Sequence, residues 1–398
     1  MTKKPSLWTE LLQPDELHVG ASESPVFSSL VGSVDRASTV VFPDVKSMRE
    51  RDWRSKTQYS YGLLGTPTTR RLERKLALID GVKHALLLPS GLSAVSLVFL
   101  ALLKSGERVL LPRNAYQPGT DLARMLSSRF GIEVDFYDPL QPEAVPFTAN
   151  TRLLWVETPG SVTMEVADLK QLAELAHARG VLVAADATWS AGIAQNVFAL
   201  GADIGMQALT KYQSGGSDVM MGSVSTDDDA LYERLLETHM QLGLGVSPED
   251  CQLVLRSLPH YRLRYQSQDM AARKLATWLA SQPGIERVLH PALPSCPGHA
   301  IWQRDFTGAA SLFSVLFEPH IPQASIDRFV EALTLFHIGY SWGGAVSLAI
   351  PYDVRDRYPQ SGGLVRFYVG LEDIDDLMAD VEQALALTMN QHAINLKT

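Results

Sequence analysis

The middle of the chain alternates short apolar runs with helical patterns, and this alternation limits the folds that the chain can adopt. Six runs are predicted to be strands: Arg108–Leu111, Val134–Tyr137, Arg152–Val156, Val181–Ala185, Ile204–Leu209 and Met221–Ser225. Most are continuously apolar, as strands buried on both faces of a parallel sheet are. Residues Asp168–Arg179 show the clearest helical face between them, and Gly180 follows as its stop. The pattern predicts an open, mainly parallel α/β sheet with ligands at the carboxyl ends of its strands.

The C-terminal part of the chain has a different pattern. A long helical segment, Tyr261–Ser281, precedes short strands at Ala310–Phe317 and Arg366–Val369 and amphipathic helices at Ala324–Leu335 and Ile374–Leu387. Short strands and helices in this order predict a smaller α+β domain. We expect an N-terminal arm at residues 1–60, a large domain at residues 61–258 and a small domain at residues 259–398.

Composition argues against several classes of protein. The 398 residues have a formal net charge of −9 and no run rich in Lys and Arg, so nucleic acid and anionic membrane surfaces are poor candidates for partners. Cys251 and Cys296 are too few for a disulfide scaffold, and no apolar signal segment follows Lys3 and Lys4. We expect a cytoplasmic protein.

The uncharged stretch Ala85–Leu103 has the length of a membrane span, but Pro89 and several small residues interrupt it. It is better explained as a buried strand, Ala85–Leu88, followed by a tight turn and an apolar helix, Leu92–Leu103. The start of such a helix offers free backbone N–H groups that suit a phosphate, although a plain strand-to-helix connection looks the same in sequence.

Lys211 and Asp186 are the strongest candidates for chemistry. Lys211 lies 25 positions after Asp186, and each residue comes where an apolar strand ends. A lysine after a strand is usually a solvated end residue. A pyridoxal 5′-phosphate (PLP) enzyme, however, needs a lysine to bind the cofactor aldehyde and a carboxylate to keep the pyridine nitrogen protonated.

Two further residues have both an ordinary and a functional explanation. Tyr116 follows the strand that ends at Leu111, and its ring could pack in a loop or stack on a flat cofactor. Arg366 lies inside an apolar run, so its guanidinium must be paired, either in a structural salt bridge or with a ligand carboxylate.

Metal binding is a weaker hypothesis. His290, Cys296 and His299 fall within ten residues, but three prolines make that stretch rigid and no fourth ligand accompanies them. We expect no metal site there.

Several segments between Val34 and Leu377 resemble the Cys/Met-metabolism PLP enzymes, and within them the β-lyase branch. They are Tyr61-Gly-Leu-Leu-Gly-Thr-Pro67, Asn114-Ala-Tyr116, Pro159-Gly-Ser-Val-Thr-Met-Glu165, Asp186-Ala-Thr-Trp189, Thr210-Lys211-Tyr212, His290-Pro-Ala-Leu-Pro294, Arg304-Asp-Phe-Thr-Gly308, Tyr340-Ser-Trp-Gly-Gly344 and Arg366-Phe-Tyr-Val-Gly-Leu-Glu372. The Trp of Tyr340-Ser-Trp distinguishes the β-lyase branch, because a small or aliphatic residue commonly replaces it in the γ-elimination and synthase branches.

The resemblance implies a fold-type I PLP transferase-like architecture and a role for each candidate residue. Lys211, Asp186 and Tyr116 would act in catalysis and hold the cofactor, Tyr116 by stacking on its ring. The amides of Gly91 and Leu92 and the Thr210 hydroxyl would hold the phosphate, while Arg366, Ser341, Trp342 and Tyr116 would contact the substrate. The resemblance also implies a homotetramer, a dimer of dimers, whose N-terminal arm and Tyr61 reach a neighbouring active site.

Two departures from the family pattern affect the assignment of family roles to residues of this chain. Leu63 stands where many β-lyases have a phosphate-binding Arg. Arg70 or Arg71 could replace that cation, or backbone amides and hydroxyls alone could hold the phosphate with weaker affinity. Ala187 stands where Asn is usual, which affects the surroundings of the cofactor more than the chemistry.

The sequence therefore predicts a PLP-dependent carbon–sulfur lyase that acts on a small amino acid, most simply L-cystathionine, by α,β-elimination. A cysteine desulfhydrase, a broader cysteine-S-conjugate lyase, a γ-lyase or synthase relative, and a PLP-binding regulator without turnover are the alternatives. No Gly-x-Gly-x-x-Gly turn follows a strand, which argues against a dinucleotide-binding protein.

Overall fold

A computed structural model of the protein describes residues 5–13 and 31–395, with side chains described up to residue 387. The rest of the expected N-terminal arm, residues 1–4 and 14–30, lies outside the described residues. In the described part of the arm, helices α1 (Leu7–Leu12) and α2 (Val45–Glu50) are short, and Thr39 forms an isolated antiparallel bridge with Tyr61.

The larger sheet has seven strands, most of which run parallel to their neighbours. In chain order they are β1 (His84–Leu88), β2 (Arg108–Pro112), β3 (Glu133–Tyr137), β4 (Thr151–Glu157), β5 (Leu182–Asp186), β6 (Ile204–Gln207) and β7 (Gly222–Thr226). Their order in the sheet is β1-β7-β6-β5-β4-β2-β3, and β7 pairs antiparallel with both of its neighbours. The predicted strands and the mainly parallel sheet are confirmed, although β6 ends at Gln207 rather than at Leu209.

Helices cover the faces of this sheet because their apolar sides must be buried. They are α3 (Pro67–Asp80), α4 (Gly91–Leu102), α5 (Gln117–Phe130), α6 (Leu169–His177) and α7 (Asp229–Gln241). The stretch Ala85–Leu103 is the predicted strand, turn and helix, and the Ser90 side chain caps the helix by accepting a hydrogen bond from the Ser93 amide. Among the described residues, we find no helix that is long and apolar enough to cross a membrane.

A second sheet of five strands forms the C-terminal part. It contains β8 (Ile285–Leu289), β9 (Leu312–Phe317), β10 (His337–Ile338), β11 (Leu348–Tyr352) and β12 (Gly363–Tyr368), in the order β10-β11-β12-β9-β8. Helices α9 (His299–Asp305), α10 (Gln323–Ala332) and α11 (Ile374–Asn395) accompany it. Phe313, Phe329 and Phe367 are buried in a core that belongs to this part alone, while Leu312 and Leu316 of β9 belong to a second cluster that also contains Leu87 of β1.

Helix α8 (Pro248–Leu279) joins the two parts and begins 13 residues before the predicted start at Tyr261. Ser247 caps its N-terminus, Pro248 occupies its first turn, and the helix continues through Pro259. The expected division between residues 258 and 259 therefore falls inside a helix. Tyr261 and Tyr265, beyond that point, are buried in the same cluster as Trp189 and Tyr212 of the larger part.

Candidate active site

Lys211 lies in the turn that follows β6, with its amine held by the C-terminal part of the chain. Its Nζ donates a hydrogen bond of 2.8 Å to Ser341 Oγ and lies 5.4 Å from the centre of the Trp342 ring. Burial and the nearby charge of Arg366 lower the pKa of Lys211 to about 8, against an opposing effect of Asp186. A good fraction of this amine is therefore neutral, and able to accept a proton, near pH 8.

The loop that carries Ser341 and Trp342 lies directly on the backbone of Lys211. A Cβ atom added to Gly343 would come within 2.5 Å of the Lys211 carbonyl carbon, and Gly343 has a φ of +94°. Ser341 has a φ of +83°, a left-handed value that is uncommon for a serine. Glycine is therefore required at position 343 for the loop to approach Lys211 closely. This approach brings Ser341 into contact with Lys211, 130 positions earlier in the chain.

Asp186 is the last residue of β5 and opens on the same cavity as Tyr116. Its carboxylate accepts a 2.9 Å hydrogen bond from the Thr188 amide. Burial raises the pKa of Asp186, while its hydrogen bonds with Thr188 and the charge of Lys211 oppose that shift. A cation bound against this carboxylate would stabilise its charged form, which is what a protonated pyridine nitrogen requires.

Tyr116 lies just before helix α5, and 47% of it is exposed. Its backbone N–H donates a 2.7 Å hydrogen bond to Glu157 Oε2. Partial burial, together with the negative charges of Asp186 and Glu157, raises the pKa of Tyr116. The ring is thus a neutral, accessible aromatic surface beside Asp186, suited to stacking on a flat ligand.

The start of α4 has the features expected of a phosphate site. The Ser93 amide bonds to Ser90 Oγ and the Ala94 amide to the Ser90 carbonyl, so the helix itself leaves the amides of Gly91 and Leu92 without acceptors. A Cβ atom on Gly91 would come within 2.7 Å of Ala208 Cβ, so only glycine fits here. The Thr210 hydroxyl, two residues after Ala208, donates a 3.2 Å hydrogen bond to the Met221 carbonyl and accepts a 3.0 Å hydrogen bond from the Met221 amide.

Arg366 is partly buried on β12, where it pairs with Ile350 of β11. Its guanidinium lies 5.2 Å from the centre of the Tyr352 ring, and burial lowers its pKa. Within the described part of the chain, no carboxylate lies within ion-pairing distance of Arg366. The structural salt bridge considered from the sequence is therefore not formed there, and the guanidinium can bind a ligand carboxylate.

Tyr61 and the neighbouring arginines are placed differently. Tyr61 is 51% exposed and precedes a short turn of helix at Gly62–Leu64. Arg70 binds Glu73 at 2.8 Å and the Leu64 carbonyl, and Arg71 binds the Ser33 carbonyl and Thr68. Both guanidinium groups are buried and bound within their own chain, which argues against either of them as the replacement for the family Arg at Leu63.

Two further positions near the candidate site are Ala187 and Glu157. Ala187 is buried, and its amide donates to the Met206 carbonyl, so its side chain offers packing without a polar contact to a cofactor. Glu157, which the sequence analysis did not select, ends β4 beside Asp186. An acidic residue at the end of an apolar run was the signal that identified Asp186, and it applies equally to Glu157.

These residues fit PLP by their chemistry. Lys211 supplies an amine, Asp186 a carboxylate, Tyr116 an aromatic face and α4 a helix N-terminus with free amides. Of the residues weighed as metal ligands, His290 is buried and Cys296 Sγ donates to the Met164 carbonyl. Among the described residues, no group of three or more His, Cys, Asp or Glu side chains could hold a metal ion.

Comparison with known proteins gives a consistent result. The family described as Cys/Met metabolism PLP-dependent enzyme matches residues 14–386. A cystathionine beta-lyase of Bordetella avium is 39% identical over 88% of this chain and 90% of its own length. An L-alanine/L-glutamate racemase of Wolbachia pipientis is 34% identical over 82% of this chain and 83% of its own length. The solved structure of metB from Corynebacterium glutamicum matches 96% of this chain and 98% of that chain, with a TM-score of 0.85 and 28% identity.

Proposed function

Because the chain belongs to the Cys/Met-metabolism PLP-dependent enzymes, and is a carbon–sulfur lyase of that family, we propose that it catalyses α,β-elimination of L-cystathionine. The products are homocysteine, pyruvate and ammonia, with one water consumed. The observation that carries the proposal is the placement of Ser341 and Trp342 around Lys211 Nζ, because this loop contains the Trp of the β-lyase branch. The relatives include a racemase as well as lyases, so the reaction is assigned from the site.

The geometry above supports a set of residues that would hold PLP. Lys211 would hold its aldehyde, Asp186 its ring nitrogen, Tyr116 its ring face, and Gly91, Leu92 and Thr210 its phosphate. When bound, PLP supplies a conjugated ring that accepts the electrons left at the substrate α-carbon. The protein supplies orientation and proton transfer.

Lys211 is the proton carrier in this proposal. In its neutral form the amine of Lys211, with a pKa of about 8, would remove the substrate α-proton. Lys211 then delivers that proton to the departing sulfur, which leaves as a thiol. Ser341 keeps Nζ in place between these transfers, through the 2.8 Å hydrogen bond to its hydroxyl.

Arg366 binds the substrate α-carboxylate. A guanidinium has paired donors that match the two oxygens of a carboxylate, and this one has no carboxylate partner among the described residues. The charge of Arg366 also helps to lower the pKa of Lys211. Binding of the substrate carboxylate to Arg366 therefore both orients the substrate and changes the basicity of the Lys211 amine.

The assembly belongs to the same proposal. We infer a homotetramer, a dimer of dimers, in which Tyr61 contributes to the phosphate site of a neighbouring subunit. Half of Tyr61 is exposed in a single chain, which leaves its ring available for that contact. The arm, large domain and small domain keep the division at residues 1–60, 61–258 and 259–398 as a working proposal, with α8 as the shared helix.

Product identification tests the proposed reaction. The PLP-loaded protein is incubated separately with L-cystathionine, L-cysteine and L-methionine, and the keto acids, thiols and the chirality of the remaining substrate are determined. Pyruvate and homocysteine from cystathionine, at the highest kcat/KM of the three substrates, support the proposal. Formation of 2-oxobutyrate would indicate γ-elimination, and racemised substrate would indicate a racemase. Preference for cysteine would indicate a desulfhydrase, and absence of turnover would indicate a PLP-binding regulator. Each of these results would contradict the proposal.

A further inference from the structure

Glu157 is a buried carboxyl group for which the proposed reaction gives no role. Only 7% of the residue is exposed, and it ends β4 in register with Asp186 at the end of β5. Paired residues on adjacent parallel strands lie about 5 Å apart and point to the same face of the sheet. Two carboxyl groups thus stand side by side at the floor of the cavity that Tyr116 also lines.

Both oxygens of Glu157 are used to connect loops. Oε2 accepts the 2.7 Å hydrogen bond from the Tyr116 amide, in the loop between β2 and α5. Oε1 accepts a hydrogen bond from the Ser161 hydroxyl, in the loop after β4. The Ser161 amide in turn bonds to the Asn114 carbonyl, so the loop that carries Tyr116 is attached on both sides. The Glu157 side chain therefore connects the loop of Tyr116 with the loop of Ser161.

The charges around Glu157 are mostly negative or neutral. Asp186 faces it from β5, Tyr116 from the loop after β2, and Tyr137 from β3, where the Tyr137 hydroxyl donates to the Trp155 carbonyl. Lys211 acts on Asp186, and Arg366 acts on Tyr116 and Lys211, but within the described chain no cationic side chain forms an ion pair with Glu157. Two adjacent buried carboxylates cannot both be charged at low cost, so one of them holds a proton.

We propose that Glu157 is a positioning residue for the cofactor ring, which fixes the backbone of the stacking residue Tyr116 and carries the proton that leaves Asp186 as the charged carboxylate. This inference rests on the proposed function, since it concerns the same site. Burial and the neighbouring Asp186 raise the pKa of Glu157 to about 8, although the hydrogen bonds from Ser161 and Tyr116 oppose that shift. Glu157 therefore keeps its proton at neutral pH and loses it as the pH rises through about 8.

Two substitutions separate its two roles. Glu157→Gln keeps an oxygen that can accept from the Tyr116 amide, but it cannot ionise. Glu157→Leu removes the acceptor and leaves a partly buried N–H without a partner. Glu165→Gln is the matched control: Glu165 is also a buried carboxyl after β4 and holds the Tyr116 loop through the Asn114 side chain, but it accepts no bond from the Tyr116 amide and is not paired with Asp186.

Retention of PLP by the purified holoenzyme is the readout, measured as the equilibrium dissociation constant and as the rate of cofactor loss on dialysis. At neutral pH we expect Glu157→Leu to raise the dissociation constant about tenfold or more, the usual effect of an unsatisfied buried donor. Glu157→Gln and Glu165→Gln should stay within about threefold of the wild type, because a buried donor that keeps its acceptor loses little.

The pH dependence tests the proton. Between about pH 6 and about pH 9, cofactor loss from the wild type should slow as Glu157 ionises, because a second negative charge then faces the protonated ring nitrogen. Glu165→Gln should keep this change, and Glu157→Gln should lose it. Wild-type retention in Glu157→Leu, or the wild-type pH dependence in Glu157→Gln, would overturn the inference. If Glu157→Leu does not fold, as judged by circular dichroism, the comparison of Glu157→Gln with the wild type decides. A wild type that binds no PLP would instead contradict the proposed function.

Discussion

At the scale of single residues, the chemistry depends on a lysine that is both buried and close to a second cation. Desolvation and Arg366 lower the pKa of Lys211, and Ser341 keeps its amine at a fixed place. Asp186 has the opposite property, since burial makes its charged form costly until a cation binds it. Each group is thus unfavourable alone and favourable in the presence of a ligand that completes the site.

Lys211→Ala should abolish elimination while the fold remains, because no other residue is assigned to hold the aldehyde or to move the α-proton. The measurement is pyruvate formation, with circular dichroism as the check on folding. Lys104→Ala, which changes an exposed lysine away from the cavity, is the control and should keep wild-type turnover. Full activity in Lys211→Ala would remove this lysine from the mechanism.

Asp186→Asn should lower kcat by about 10²–10³, the usual effect of losing one strong electrostatic stabiliser. The amide keeps the shape of the side chain but cannot hold a charged ring nitrogen. Turnover is compared at equal cofactor occupancy, so that weak binding is not mistaken for slow chemistry. A rate close to that of the wild type would mean that another group pairs with the ring nitrogen.

The pH dependence of turnover should reflect the pKa of Lys211. Because the amine accepts a proton only in its neutral form, kcat should rise with pH through about 8. Arg366→Leu removes a positive charge that lowers this pKa, so the rise should move to higher pH and KM should increase as the substrate carboxylate loses its partner. A pH profile of kcat that is unchanged in Arg366→Leu would exclude this coupling.

At the scale of elements, strand ends and helix starts were predictable from the sequence, and contacts between distant segments were not. The apolar runs that end at Asp186 and before Lys211 were enough to predict the sheet and to select both residues as candidates. The contact of Lys211 with Ser341 joins residues 130 positions apart, so no local pattern contains it; the resemblance alone placed Ser341 near the substrate. The start of α8 was predicted too late, although Ser247 and Pro248 are ordinary signals for a helix start.

The same limit applies to the phosphate site. The sequence indicated that a cation is missing at Leu63 and named Arg70 and Arg71 as substitutes, because both lie nearby in the chain. Their partners, Glu73 and the carbonyls of Leu64 and Ser33, became visible only in the fold. We propose the helix start at Gly91 and Leu92 as the principal phosphate site, a role that a helix N-terminus can fill without a side-chain cation.

Leu63→Arg should therefore tighten PLP binding by about 1.5–3 kcal/mol, the range for a hydrogen bond to a charged group. Leu63 is only half-buried and lies close to Gly245, so a longer side chain at this position can extend into solvent. Slower cofactor loss on dialysis is the measurement, with Leu63→Gln as the uncharged control. Unchanged or faster loss in Leu63→Arg would show that no vacant phosphate subsite exists.

At the scale of the whole molecule, the two sheets share one hydrophobic cluster, and residues from both lie at the candidate active site. The larger sheet provides Asp186, Tyr116 and the start of α4, and the smaller sheet provides Arg366 and the loop of Ser341 and Trp342. Sequence patterns predicted both parts, but how they face each other depends on α8 and on packing between clusters that no single segment encodes. Tyr61 is expected to contact a second chain, because its ring is exposed and we propose that it contributes to the phosphate site of a neighbouring subunit.

Mixing two inactive variants tests whether sites are shared. Lys211→Ala and Tyr61→Ala, unfolded and reassembled together, should regain activity, because a mixed dimer contains one site with an intact Lys211 and an intact Tyr61 from the partner. Each variant reassembled alone is the control. No recovery in an assembly shown by mass spectrometry to contain both chains would mean that Tyr61 acts within its own subunit.

The most direct test of the central claim, that PLP is bound through Lys211 beside Asp186, is to reduce the holoenzyme with borohydride and locate the cofactor by peptide mass spectrometry. We predict a single modified peptide with the cofactor mass on Lys211, and none in Lys211→Ala treated in the same way. A cofactor mass on another lysine, or on no residue of a protein that shows bound PLP, would contradict the assignment.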